Sequence, residues 1–196
     1  MGPFYAIVLA AGASERLGQP KAMVKVGERK IPLVKWVVER LERSGISPIV
    51  VTNQELLIPI TFAIPDRTVV LNSAPEKGRT GSIQCGLATI IDKLRSKQPM
   101  RVLIAPVDRP GFSASTLEVL RHTEHTACPA KDGRGGHPVL ITAEDVKRIM
   151  AAEPSTSLRE LISPMRVNVV DEHLHFNLDT TDDLEQLDSV INSFDL

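Results

Sequence analysis

Aromatic side chains are scarce in this chain: one Trp, one Tyr and five Phe among 196 residues. So few rings give little material for stacking nucleobases, and a net charge of −1 leaves no basic excess to track a phosphate backbone. Both deficits argue against nucleic acid as a partner. Long apolar runs are missing too. No stretch approaches the roughly 20 residues of a membrane span, and the N-terminus lacks the charged start and extended hydrophobic region of a secretory signal, so the expectation is a cytoplasmic protein with no membrane partner. Cysteine is limited to Cys85 and Cys128. Two cysteines far apart cannot form a zinc cage without histidine help, and both read as reduced core or near-site residues.

What the chain does carry is concentrated at its start. The apolar segment Phe4–Val8 runs directly into Leu9-Ala10-Ala11-Gly12-Ala13-Ser14-Glu15-Arg16-Leu17-Gly18-Gln19-Pro20-Lys21. Small residues leave the backbone of this loop uncovered, so successive N–H groups can approach phosphate oxygens, and glycine permits a turn through positive φ. Arg16 and Lys21 add the charge that backbone dipoles cannot supply. Two better-known phosphate loops are excluded by spacing. A Walker A loop needs Gly-Lys-Ser/Thr, whereas Gly18 is followed by Gln19-Pro20-Lys21, and Gly12-Ala13-Ser14 breaks the first Gly-x-Gly of a dinucleotide fingerprint.

The hydrophobic pattern alternates strands with helices. Tyr5–Leu9 reads as a strand; Val34, Val37, Val38 and Leu41 mark a helix that stops at Ser44-Gly45. Strands follow at 48–52 and 68–71, then a helix beginning near Ser82 with Ile83, Leu87, Ile90, Ile91 and Leu94 inward, and a strand at 101–105. Ser115 and Glu118 read as a capping box for the next helix. This repeated βα pattern predicts a parallel sheet covered on both faces. Beyond Ala127 come short strands at 127–131, 138–141 and 165–170, short helices at 143–152 and 157–162, and a closing helix over 181–194. No linker or repeat divides the chain, which reads as one domain over 1–196.

The first loop resembles the signature of nucleotidyltransferases, in detail that of the MobA-like NTP transferases, which build molybdenum cofactor dinucleotides. Gly81-Ser82-Ile83-Gln84-Cys85-Gly86-Leu87, Pro106-Val107-Asp108-Arg109-Pro110, Gly136-His137-Pro138-Val139-Leu140 and Asn177-Leu178-Asp179-Thr180-Thr181-Asp182-Asp183-Leu184 resemble its later motifs, in the same order. The resemblance implies a three-layer α/β, Rossmann-like nucleotidyltransferase fold, with a mostly parallel sheet and helices on both faces. It implies nucleotide contacts at Leu9, Ala10, Ala11, Gly12, Ala13, Ser14, Gly81 and Ser82, and recognition of a phosphate acceptor by His137 and Asn177. The acceptor it implies is molybdopterin, with transient contact to a molybdoenzyme or its chaperone. Leu-Ala-Ala-Gly resembles the cytidylyl branch, whereas the guanylyl branch reads Leu-Ala-Gly-Gly, so CTP is the expected donor and GTP the alternative.

Residue chemistry stands beside this. In an open parallel sheet ligands gather at the carboxyl ends of strands. Asp108 follows such an end between Pro106 and Pro110; it suits Mg²⁺, which takes one or two carboxylates plus substrate phosphates, or it serves an Asx-turn. Alternation in a strand would put Asn177 and Asp179 on one face and Leu178 on the other, making Asp179 a second metal ligand; Asp182 and Asp183 read as helix-capping acids. Lys77 and Arg79 can meet the acceptor's phosphate. His122 and His125 at helical spacing, and His173 and His175 at strand spacing, lack acidic or Cys partners and read as surface residues. The resulting expectation is an enzyme in which Arg16, Lys21 and Asp108 act on a nucleoside triphosphate. A sugar-phosphate nucleotidyltransferase and a non-catalytic nucleotide-binding regulator are the competing readings.

Overall fold

The computed structural model describes residues 4–12, 15–94 and 101–194. Strand β1 (Tyr5–Ala10) is the centre of the sheet, and its alternation explains the layers. Ala6, Val8 and Ala10 belong to one apolar cluster, Ile7 and Leu9 to the other. A strand buried on both faces in this way is a central strand of a parallel sheet.

The chain continues through a small antiparallel ribbon, β2 (Lys25–Val26) with β3 (Ile31–Pro32), into helix α1 (Leu33–Arg43). Strand β4 (Ser47–Thr52), helix α2 (Gln54–Ala63), strand β5 (Thr68–Leu71), helix α3 (Arg79–Lys93) and strand β6 (Arg101–Pro106) follow. Then come α4 (Ala114–His122), β7 (Ala127–Lys131), β8 (Arg134–Gly135), β9 (Val139–Thr142), α5 (Ala143–Ala151), α6 (Leu158–Leu161), β10 (Met165–Asn168) and α7 (Asp182–Asn192). The sheet runs β5-β4-β1-β6-β9-β7-β10, with β8 beside β7. β1 pairs in parallel with β4 and β6, placing Ile7 opposite Ile49 and Ile104. β9 runs antiparallel between β6 and β7. Apolar stripes of α1, α2, α4 and α7 cover one face, and those of α3 and α5 the other. The three-layer, mostly parallel α/β expectation holds.

Several local expectations need correction. Helix α2 was not anticipated: its Leu56 and Ile60 are buried, but Ile58 and Phe62 face outward, which blurs the periodicity. Helix α3 starts at Arg79, so Gly81 and Ser82 lie inside its first turn rather than before it. Helix α4 is capped by Ser113, whose Oγ accepts from Thr116 N at 3.1 Å, instead of by Ser115 and Glu118. Residues 177–179 are not a strand, and His173 and His175 lie on turns rather than at strand spacing.

The sheet order sets the position of the site. After β5 the chain crosses back over β4 and β1 to lay β6 on the other side of β1. The loops leaving β1 and β6 therefore diverge at the carboxyl edge, where a crevice opens. A second segment is pressed into this edge: Leu178 N donates to Asp108 O at 2.9 Å. Gly111 makes that approach possible, because a Cβ there would stand 1.8 Å from the His173 carbonyl oxygen. Gly111→Ala should push the two segments apart and cost about 2 kcal/mol or more, a fall in melting temperature of roughly 5 °C. Thermal unfolding measures it; an unchanged transition would mean that the 171–179 segment is not held as described.

Candidate active site

The crevice is a cavity of about 200 Å³ lined by Leu9, Ala10, Ala11 and Gly12 from the end of β1, Lys21, Leu56, Gly78, Arg79 and Ser82, and Pro106, Val107 and Asp108 from the end of β6. Leu9 to Gly12, named from sequence as nucleotide contacts, thus line this cavity together. Ala13 and Ser14 lie outside the described residues. Positive φ falls at Gly18 (70°), not at Gly12, where a Cβ would meet open space; Gly12 leaves the backbone uncovered instead of turning it. The loop is anchored from β4: Thr52 Oγ1 donates to Ala10 O at 3.3 Å and Asn53 Nδ2 to Ala11 O at 3.4 Å. Asn53 also caps α2, accepting from Leu56 N at 3.0 Å. One side chain therefore fixes both a helix start and the phosphate-loop candidate.

Charge in the crevice is arranged around Lys21. Its Nζ lies 2.9 Å from Asp179 Oδ1 and 3.4 Å from Asp108 Oδ2, and Arg16 Nη1 pairs with the other oxygen of Asp179. Lys21 is only 14 % exposed, against 76 % for Arg16, so the lysine contacts are the less screened. A hydrogen bond from Lys21 and the charges of Lys21 and Arg16 hold the Asp179 carboxyl below the usual carboxylate range. Asp179 is itself positioned: the Asp183 carboxylate accepts from Asp179 N at 2.8 Å and Thr180 N at 2.7 Å, contacts that lower its own pKa. Asp183 thus caps by folding back over 179–180, and Asp182 makes no such contact among the described residues. Leu178 is buried between half-buried Asn177 and Asp179, so the predicted alternation survives without a strand. Asn177 lines neither this cavity nor the next one described.

Ser82 joins the cavity and Gly81 does not. The Gly81 amide is spent on Pro154 O at 3.2 Å, while Ser82 Oγ accepts from Asn72 Nδ2 at 2.9 Å. Asn72, buried at the end of β5, also accepts from Ala74 N at 3.0 Å and so shapes the turn before α3. Neither Asn72 nor Asn53 was singled out from sequence; an Asn directly after each strand was the available signal.

A second cavity, of about 790 Å³, opens beside the first and shares Arg79 with it. His137 lies in its wall with Nδ1 enclosed and without a hydrogen-bond partner. Burial, then the charges of Arg109 and Arg79, depress its pKa to about 4, so the ring is neutral at pH 7. Arg109 is half-buried near Asp108, Arg134 and Arg79, with its pKa lowered chiefly by burial; sequence gave it a motif position but no role. Lys77 lines neither cavity. His122 and His125 are exposed, as expected of surface histidines. Cys128 sits in the second cavity and Cys85 on α3, both as free thiols with pKa values raised by burial.

Residues 6–171 match the MobA-like NTP transferase domain. The chain belongs to that family. It is 25 % identical over 197 residues to the molybdenum cofactor guanylyltransferase of Rhizobium johnstonii, covering 91 % of this chain and 88 % of the relative. Among solved structures it resembles molybdopterin-guanine dinucleotide biosynthesis protein A of Archaeoglobus fulgidus (TM-score 0.72, 17 % identity, 97 % and 100 % covered). It also resembles a Mycobacterium tuberculosis protein, Rv0371C, solved in complex with manganese (TM-score 0.71, 16 % identity, 96 % and 99 % covered). The MobA-like resemblance and its nucleotidyltransferase fold therefore hold. Among the described residues no helix is long and apolar enough to cross a membrane.

The half-buried His137, with its Nδ1 enclosed, gives a measurable pH dependence. Its folded pKa lies below the ordinary 6.5, so the fold excludes a proton that the unfolded chain accepts. Stability is then full above pH 6.5 and falls as the pH drops towards 4, by about 2 kcal/mol between pH 7 and 5. Denaturant unfolding at both pH values should show this in the parent chain, and His137→Gln should remove most of the difference. An equal loss in both proteins would assign the acid sensitivity to other groups.

Proposed function

We propose that this chain transfers GMP from GTP to the terminal phosphate of molybdopterin, releasing pyrophosphate. The observation that carries the reading is the crevice between β1 and β6, where Lys21 and Arg16 meet Asp108 and Asp179 against an uncovered backbone loop. The relative similar over nine-tenths of the chain is a guanylyltransferase, and this favours GTP over the CTP expected from Leu-Ala-Ala-Gly. The Ala11 methyl that prompted the cytidylyl expectation lines the cavity but is one small contact among many.

In this reading an oxygen of the acceptor phosphate attacks the α-phosphorus, a new P–O bond forms, and the bond to the β-bridging oxygen breaks. No protein base is required, because a phosphate monoester with a second pKa near 6 is already a nucleophilic dianion at pH 7. That suits a neutral, enclosed His137. Arg16 presents a two-pronged contact and Lys21 a point charge to the triphosphate, exchanging their carboxylate partners for phosphate oxygens. Arg79, common to both cavities, stands where donor and acceptor meet. Binding in a fixed orientation and charge neutralisation supply the rate.

Two carboxylates already converge on one cation, the Lys21 ammonium, and such a pair fits Mg²⁺. Asp108 and Asp179 would hold the metal, which supplies charge stabilisation at the phosphate oxygens.

Pyrophosphate release from Mg²⁺, molybdopterin and either GTP or CTP tests the reading. We expect kcat/KM at least about tenfold higher with GTP, a difference of roughly 1.4 kcal/mol. A preference for CTP would restore the cytidylyl assignment, and turnover with neither would remove the acceptor. Asp108→Asn should lower kcat on the order of a hundredfold with little change in melting temperature. Arg16→Lys, which keeps charge and loses the fork, should lose about tenfold or more in kcat/KM; unchanged kinetics would mean that Arg16 only neighbours the triphosphate.

A further inference from the structure

The larger cavity differs from the first in its charge balance. Arg79, Arg159 and Arg166 line it, and none of its described lining residues is acidic. Among the described residues none of these three guanidinium groups pairs with a carboxylate, whereas Arg67 pairs with Glu42, and Arg148 with Glu144 and Asp145. Arg166 donates to the Gly133 carbonyl at 2.8 Å, which steadies it without neutralising it. His137 and Cys128, the other titratable groups in the wall, are neutral at pH 7: burial lowers the first and raises the second. The arginines are therefore uncompensated.

The inner wall is of another kind. Cys128, Val139 and Ile162 are each under a tenth exposed and offer an apolar surface. His137 Nδ1 adds an enclosed polar atom without a partner, a group that is costly to bury unless a ligand satisfies it. A planar heterocycle against the apolar wall, hydrogen-bonded to His137 and carrying anions that meet the arginines, matches these features together.

Resting on the acceptor reading above, we propose that Arg159 and Arg166 form a second anion subsite that recognises the paired sulfurs of molybdopterin, while its phosphate lies at Arg79. The chemistry is selective. Molybdopterin has a phosphate at one end, a neutral pterin body and an enedithiolate as its other anionic group. A guanidinium pair can read that charge, and a phosphate ester lacking it would leave both arginines unsatisfied. The subsite would thus distinguish an acceptor carrying both sulfurs from one without them, and would place this chain after the reaction that installs them.

Equilibrium dialysis without nucleotide separates this subsite from the transfer reaction. The probes are molybdopterin and molybdopterin with both sulfurs alkylated, the proteins the parent chain and its Arg159→Ala/Arg166→Ala variant. The parent should bind molybdopterin at least tenfold more tightly than the alkylated form, and the double variant should bind the two equally and weakly. Arg159→Lys/Arg166→Lys should recover part of the discrimination, and unchanged melting temperatures guard against a folding defect. Equal binding of both probes by the parent, or undiminished discrimination in the alanine variant, would overturn the subsite. Sulfur-dependent binding controlled by the arginines, in a protein that transfers no guanylyl group, would sustain the subsite and refute the transferase reading. No binding of molybdopterin by the parent refutes both.

Discussion

One ammonium group organises this site. Lys21 reaches Asp108, 87 residues away, and Asp179, 158 residues away, joining the loop after β1 to the loop after β6 and to the segment before α7. With the ammonium between them, the two carboxylates share one counter-charge, and three segments distant in sequence meet at a single atom. The rest of the crevice follows from this constraint. Arg16 closes on the remaining oxygen of Asp179, Asp183 pins the backbone of 179 and 180, and the Leu178 amide ties the segment to Asp108.

On the proposed reading, the arrangement stores the apparatus for phosphate binding in a neutralised form. Were Arg16 and Lys21 unpaired, their mutual repulsion would favour an open loop, and a triphosphate would have to order it on arrival. Paired with carboxylates, they are already oriented, and ordering entropy is paid during folding rather than at binding. Breaking the pairs has a cost, which the phosphates of the proposed substrate would offset by accepting the same donors. A divalent cation on the proposed Asp108–Asp179 pair would make that exchange easier still, since each carboxylate would then gain a counter-charge as Lys21 turns to phosphate.

Much of the fold and part of the site were legible in the sequence, and the boundary between legible and hidden has physical causes. β1, α1 and β4 were read almost to the residue because each carries an unbroken pattern of buried residues, and β5 because Thr-Val-Val-Leu is a run of β-formers. α2 was not, since Ile58 and Phe62 put apolar residues on its solvent side. The antiparallel setting of β9 is a tertiary choice that short apolar strands do not encode. Arg16, Lys21, Asp108 and Asp179 were nameable from motifs, and the structure brings them together. Gly81 was misplaced because a helix start was set three residues late, which hid its contact with Pro154. Asn53 and Asn72 escaped notice because their work is to hold loop backbone, and an Asn after a strand is common in loops of every kind.

The two cavities solve opposite electrostatic problems, and Arg79 belongs to both. In the first, Lys21 and Arg16 are matched by carboxylates, so on the proposed reading a highly charged ligand would enter by exchange and could leave again as a different anion. In the second, arginines stand without carboxylate partners while His137 and Cys128 remain neutral, so an anionic ligand gains attraction without displacing an internal partner. His137 is decisive in this balance for a negative reason. A protonated imidazole there would add to the charge of Arg79 and Arg109; burial first, and those charges second, exclude its proton, so His137 stays neutral across the pH range in which phosphate monoesters ionise. On the proposed reading, the charge that varies during reaction is then carried by the substrates, beside an imidazole that does not titrate with them.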